Sequence, residues 1–188
     1  MRITDDRYTR DRQRLDLAFR MIRYEARTCT IRTWTGLSDD RIRKLYRTYV
    51  ATHGSGIRRH RGKSPAQTAF FFKNVETRRQ TAALAGLFAR LELLYGAVPT
   101  PGSAGTPSAL RWGDLFCRTY ETYLQFNHPQ RISFEHAWYL LHVLQQRGEL
   151  RPDSCPSCGA FMVVDVMRPQ GTGCAACETD NREHRGQN

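Results

Sequence analysis

Cys155, Cys158, Cys174 and Cys177 form two C-x-x-C pairs with fifteen residues between them, the spacing of a four-thiolate zinc site. Each pair closes a tight turn that aims two sulfurs at one point, and the intervening segment lets the second turn fold back to complete a tetrahedron. In Cys155-Pro156-Ser157-Cys158-Gly159 the proline presets one backbone angle, and the glycine permits a left-handed residue just past the second ligand. A catalytic zinc needs an open coordination position, whereas four thiolates leave no room for water. The expected cofactor is therefore one structural Zn2+ per chain. Two other uses of the cysteines compete with zinc. Disulfides suit secreted, cysteine-dense scaffolds, and no cleavable signal peptide is legible at the N-terminus. A redox C-x-x-C needs a βαβ context, which the pattern lacks. Cys29 and Cys117 fall in apolar helical patterns and read as small core residues.

Charge is the second source of chemistry. Residues 1–63 carry 17 Lys and Arg against 7 Asp and Glu, while residues 64–188 carry 12 against 11. Nearly the whole excess of +11 therefore sits at one end of the chain. Such a segment fits counterion release from a polyanion, with nucleic acid the first candidate and an anionic membrane surface the second. The longest apolar run, Ala82 to Ala89, spans eight residues, far short of a membrane helix. The expectation is a cytoplasmic protein. Enzymatic chemistry finds no support, and no catalytic residue is assigned. There is no Gly-rich phosphate loop, no nucleophile elbow and no paired-His motif. His53, His60, His128, His136, His142 and His184 stand at no metal-ligand spacing from one another, and His136 and His142 read as helix-surface residues.

The elements that must position these residues read as mainly α. The expected organisation is a helical DNA- and partner-binding domain over 1–150, a zinc-ribbon-like module over 151–178 and a polar tail over 179–188. Leu15, Ala18, Phe19, Ile22 and Ala26 mark one face of a first helix, with Thr4, Asp5 and Asp6 as capping candidates. Ser64-Pro65-Ala66-Gln67 reads as the start of another, whose period continues through Leu84, Leu87, Phe88, Leu91 and Tyr95, with a break possible near Asn74. Gly96 to Ser108 reads as a loop. Trp112, Leu115, Phe116 and Tyr123 mark a further helix, and Ser133 caps a last one with core face Ala137, Leu140, Leu141 and Leu144, ended by Gly148. Phe161 to Val166 reads as a strand inside the zinc module. The three rings of Phe70-Phe71-Phe72 suit either a partner surface or the chain's own core.

Where the charge excess meets helical pattern, a helix-turn-helix-like element spans 27–49. Arg27 to Thr35 forms a short helix, Gly36 the turn and Leu37 the corner plug. Ser38 caps a second helix, with Asp39 and Asp40 complementing its dipole. Ile42, Leu45, Tyr46 and Tyr49 form its buried face. Arg41, Lys44, Arg47 and Thr48 lie opposite, as bases and phosphates require of a recognition helix. Arg58, Arg59, Arg61 and Lys63, in the basic loop that follows, are the next DNA-binding candidates. Arg32 stands where the motif usually has a small residue.

The stretch Leu37-Ser38-Asp39-Asp40-Arg41-Ile42-Arg43-Lys44-Leu45-Tyr46 is one of three blocks in a recognisable order. The second is Ala137-Trp138 followed by Gly148 and Leu150. The third is Ser154-Cys155-Pro156-Ser157-Cys158-Gly159 leading to Gly173-Cys174-Ala175-Ala176-Cys177. In this order and spacing the chain resembles the FlhC family, the C subunits of the bacterial flagellar master activator FlhDC. The likeness is strongest at the cysteines and the Ser38 to Tyr49 helix, and weak in the first dozen residues and between Arg58 and Arg111. It implies a zinc-containing transcriptional activator that binds double-stranded promoter DNA with a small helical FlhD-like subunit and helps recruit RNA polymerase. A heterohexamer of four FlhD-like and two FlhC-like chains is one composition the resemblance suggests. By the same match the zinc ligands fall on Cys155, Cys158, Cys174 and Cys177. The alternative is a zinc-ribbon RNA-binding or ribosome-associated protein, which shares the basic segment and the structural zinc. A protein that only scaffolds others is a third reading.

Overall fold

The computed structural model describes residues 2–54, 56–96, 102–167 and 173–178, with side chains from residue 7 onward. The expected polar tail, 179–188, lies outside the described residues. The chain is mainly helical and divides into two compact units, 1–64 with 96–118 and 65–95 with 119–188. The division does not fall at residue 150. Among the described residues no helix is long and apolar enough to cross a membrane.

In the first unit, α1 (Arg2–Arg23) is followed by α2 (Thr28–Thr35) and α3 (Asp39–His53). The first helix begins ahead of the expected caps Thr4, Asp5 and Asp6, which lie inside it. Its buried residues are Leu17, Ala18, Met21 and Ile22, with Ala26 just past its end. Leu15 and Phe19 are only half-buried. The core stripe is rotated toward Leu17 and Met21 because α1 packs against both α2 and α3, and a wider face than one ridge is covered.

The corner between α2 and α3 is built from short-range bonds. Gly36 takes φ +67° and donates its N–H to Arg32 O at 2.9 Å. Thr35, fully buried, donates its hydroxyl to Ile31 O at 2.7 Å and accepts the Leu37 N–H at 3.2 Å. Ser38 caps α3 by accepting the Arg41 N–H. The Tyr46 hydroxyl donates to Ala26 O, fixing α3 to the connection between α1 and α2. A segment of the Gly/Pro-rich loop closes the corner from outside. The Gly105 N–H donates to Trp34 O at 3.1 Å, and the Arg14 guanidinium donates to Gly105 O at 3.0 Å. A Cβ on Gly36 would sit 2.9 Å from the backbone oxygen of Ala104. Gly36→Ala is therefore expected to lower stability by at least the ~1–2 kcal/mol of a left-handed alanine, read as a lower midpoint in chemical denaturation. The rest of the unit is the first part of α5 (Pro107–Phe126). Trp34 stacks on its Phe116 with ring centroids 6.2 Å apart, and Gly113 leaves room for Leu17 and Trp34.

At the start of the second unit the structure corrects the sequence reading. No α-helix starts at Ser64; the chain makes only a 3₁₀ turn over Thr68–Phe72, and α4 (Val75–Arg90) begins after Asn74. The Asn74 side chain accepts the Thr77 N–H at 2.8 Å and so caps the new helix. α4 also ends early. Leu84 and Phe88 are buried, but Leu91 and Tyr95 are exposed, and Leu93 takes the core position instead. Phe71 is fully buried and stacks on Tyr139, while Phe70 stacks on His136 at 3.8 Å. Two of the three phenylalanine rings therefore pack against the chain's own last helix. That helix, α6 (Phe134–Gln146), is capped by Ser133 and buries Ala137, Leu140, Leu141 and Leu144.

Two strands complete the unit: β1 (Leu150–Ser154) and β2 (Phe161–Asp165), antiparallel with Leu150 opposite Asp165 and Ser154 opposite Phe161. β1 carries Pro152 and Asp153 and shows no alternation, so its strand character is invisible in the sequence. Its tolerance of proline follows from being an edge strand in a two-stranded sheet. β2 packs on α4 and β1 on α6, with Phe161 seated over Gly86.

Candidate metal centre and basic face

The hairpin carries the first cysteine pair in its own turn. Because Ser154 pairs with Phe161, residues 155–160 must reverse the chain. The Cys155 N–H donates to Ala160 O and the Gly159 N–H to Cys155 O, both at 2.8 Å. Gly159 adopts φ +71°, the left-handed conformation its position past the second ligand calls for. The second pair opens a helical segment, described over 175–178. Its Cys174 N–H donates to the Cys155 sulfur at 3.3 Å, which joins the two turns through a ligand atom.

The four sulfurs lie within 4.8 Å of one another. Cys155 Sγ is 4.0 Å from Cys177 Sγ, and Cys158 Sγ is 3.6 Å from Cys174 Sγ. A tetrahedral zinc with bonds of about 2.3 Å sets sulfur–sulfur edges of about 3.8 Å, so the donors stand at the separation the ion needs. They are far from the roughly 2.05 Å of a disulfide. Cys155 and Cys174 are buried, packed with Met162, Val164 and Cys177. Thiolates in this number and geometry fit a structural metal such as zinc.

Hydrogen bonds from the Cys174 and Cys158 N–H groups pull the Cys155 thiol down to about 6. Hydrogen bonding with the Cys158 and Cys174 thiols pushes Cys177 up to about 12. Four thiols this close cannot all ionise without a cation among them. No family model matches the chain, and the search of curated proteins returns no significant match. The remaining cysteines divide. Cys117 is buried as expected, but Cys29 is exposed, its sulfur 3.5 Å from Ser64 Oγ.

The candidate DNA-binding residues all belong to the first unit. Arg41, Lys44, Arg47 and Thr48 are exposed on α3, opposite buried Ile42 and Tyr46. Leu45 and Tyr49 are half-buried rather than buried. Arg41, Lys44 and Arg47 follow one another at intervals of three, and Thr48 stands four past Lys44, which puts all four on one helix surface. Neighbouring charges are internally satisfied: Arg32 pairs with Asp39 at 3.0 Å and Arg43 with Asp40 at 2.6 Å. Among the described residues Arg41, Lys44 and Arg47 form no ion pair, so their charge is available to a ligand.

Arg58, Arg59, Arg61 and Lys63 are also exposed, and their loop is held in place by Glu25 and Arg27. Glu25, at φ +58°, accepts the Arg58 N–H at 2.9 Å and meets His60 Nε2 at 2.7 Å. Arg27 donates to the carbonyls of Arg61 and Gly62 at 3.2 and 2.8 Å. One acid and one base on the α1–α2 connection thus hold the basic loop by its backbone and by the His60 ring, while Arg58, Arg59, Arg61 and Lys63 stay exposed. Nothing in the local sequence marks this, because the partners lie more than thirty residues apart.

Proposed function

We propose that the chain is a DNA-binding transcriptional activator subunit of the FlhC kind, acting in the cytoplasm with an FlhD-type partner to switch on flagellar genes and carrying one structural zinc. The observation that supports it most is the pair of helices joined at Gly36, with Arg41, Lys44, Arg47 and Thr48 exposed on the second helix and the three cations in no ion pair among the described residues. A helix of this kind binds phosphates through its cations and reads base edges with the few side chains that reach the groove floor. The tethered loop over 58–63 adds phosphate contacts without the ordering cost of a free segment. The metal has no part in chemistry here. It would hold two turns that are too small to bury a core of their own.

The test is a comparison of binding to promoter duplex and to structured RNA at matched salt, with the chain alone and co-expressed with a small helical FlhD-like subunit. Duplex preference, co-purification of the two chains and sharper operator selectivity in the mixture are expected, since added half-sites multiply specific contacts. Preference for RNA would favour the ribosome-associated alternative. Absence of any salt-dependent binding would reject nucleic acid as the ligand.

A further inference from the structure

We propose that Arg78 of α4 is a positioning residue of the metal centre, gripping the second cysteine turn at both ends. Its Nη1 lies 2.5 Å from Glu178 Oε2, and its Nη2 donates to Gly173 O at 3.1 Å. Gly173 immediately precedes Cys174, and Glu178 immediately follows Cys177. One guanidinium therefore closes a bracket around the whole C-x-x-C turn. Only a planar fork of donors reaches two acceptors from one rigid group, which is why arginine and not lysine suits the position. The pair is largely withdrawn from water, with side chains 14% and 24% exposed, so it is screened less than an ordinary surface ion pair.

Packing around the turn supports the same role. Arg78, Thr81 and Ala82 of α4 line a narrow cleft together with Cys174 and Ala175. The turn thus rests on α4 while its two ends are held by the same helix. Without Arg78 the two ligands of this turn must be ordered by the metal itself, and part of the binding free energy goes to that ordering.

The inference rests on the metal reading of the four thiols, and the experiment separates the two. Cobalt(II) binding to the full chain is titrated in competition with a chelator for wild type, Arg78→Met, Arg78→Lys, Glu178→Gln and Arg79→Met. Arg79 pairs with Glu76 on its own helix and serves as the control. Arg78→Met is expected to weaken metal affinity by about 10–100-fold, the usual effect of removing a group that orients the ligands. It should also release metal faster to the chelator and alter the cobalt absorption bands. Arg78→Lys and Glu178→Gln should fall between it and wild type, and Arg79→Met should match wild type. Chemical denaturation with and without metal excludes a merely structural role, because the substitution must lower the stability of the loaded form more than that of the metal-free form. Equal losses in both forms, or unchanged affinity and release rate in Arg78→Met, would overturn the clamp. If Arg78→Met fails to fold, an unchanged affinity in Glu178→Gln overturns it equally. A wild-type chain that binds no cobalt would sink the metal reading itself, and the clamp with it.

Discussion

Purified Cys155→Ser protein will contain no stoichiometric zinc, and residues from about 150 to 178 will lose their order. The effect is large because the Cys155 sulfur serves the site twice. It is one of the four clustered donors, and it receives the Cys174 N–H that joins the second turn to the first. A structural zinc contributes roughly 10–16 kcal/mol of apparent binding free energy at neutral pH, and in such small modules that is folding free energy. An isolated two-stranded hairpin is marginal in water, so the ribbon has little to fall back on beyond its packing on α4 and α6. Those helices keep their own core, Leu84 and Phe88 on one and Leu140, Leu141 and Leu144 on the other. Far-UV circular dichroism should therefore change little, while proteolysis will open the C-terminal region. The ionisation of the thiols gives the pH dependence its sign. In the metal-free cluster Cys155 is lowered to about 6, but Cys177 is raised to about 12 and holds its proton at neutral pH. Zinc must expel that proton, so affinity rises with pH and falls on acidification, and adding zinc in a weak buffer will release acid. Full zinc occupancy in a Cys155→Ser/Cys177→Ser double variant would reject the site.

How much of this is legible in the sequence depends on the range of the interaction. The cysteine turns are legible because Pro156, Gly159 and the C-x-x-C spacing act within a few residues. The Gly36 corner and the Ser38 cap are legible for the same reason. Asn74 is the instructive middle case: its capping chemistry is local, yet Ser64-Pro65 offers an equally good local start, and only the packing of Phe71 under α6 decides between them. β1 cannot be read, since Leu150 to Ser154 becomes a strand only by pairing with β2. Cys29 looks like core from its apolar neighbours, but the helix turns it outward. The long-range bonds escape altogether. Glu25 and Arg27 on the basic loop, and Arg78 on the second cysteine turn, join residues that no local pattern relates.

Neutralising Arg41, Lys44 and Arg47 together, each to glutamine, is expected to flatten the salt dependence of duplex binding by up to about 2.7 in log–log slope, or roughly 0.9 for each phosphate no longer neutralised. The side chains are exposed and hold no ion pair among the described residues, so folding should be almost untouched, within roughly 0.5 kcal/mol per position. That separates a binding defect from a folding defect in one variant. Arg43→Gln is the internal comparison. Its charge is already opposed by Asp40 at 2.6 Å and Asp39 at 4.0 Å, so it should change the slope less than any one of the three. The loop offers the second arm of the measurement. If the α3 face and the loop both bind phosphates, substituting Arg58, Arg59, Arg61 and Lys63 should add a further decrement, close to additive because the two sets share no partner. An unchanged slope in the α3 variant with a large change in the loop variant would move the footprint off the helix. Single substitutions then sort the interactions by kind. A residue that reads a base will relax specificity at one operator position when replaced, whereas replacing a phosphate-binding residue will weaken all sequences alike. Lys44 and Arg47, in the middle of the exposed face with Thr48 beside them, are the positions where base readout is expected first. Uniform weakening at all three would leave the helix a backbone anchor and assign sequence recognition to another part of the complex.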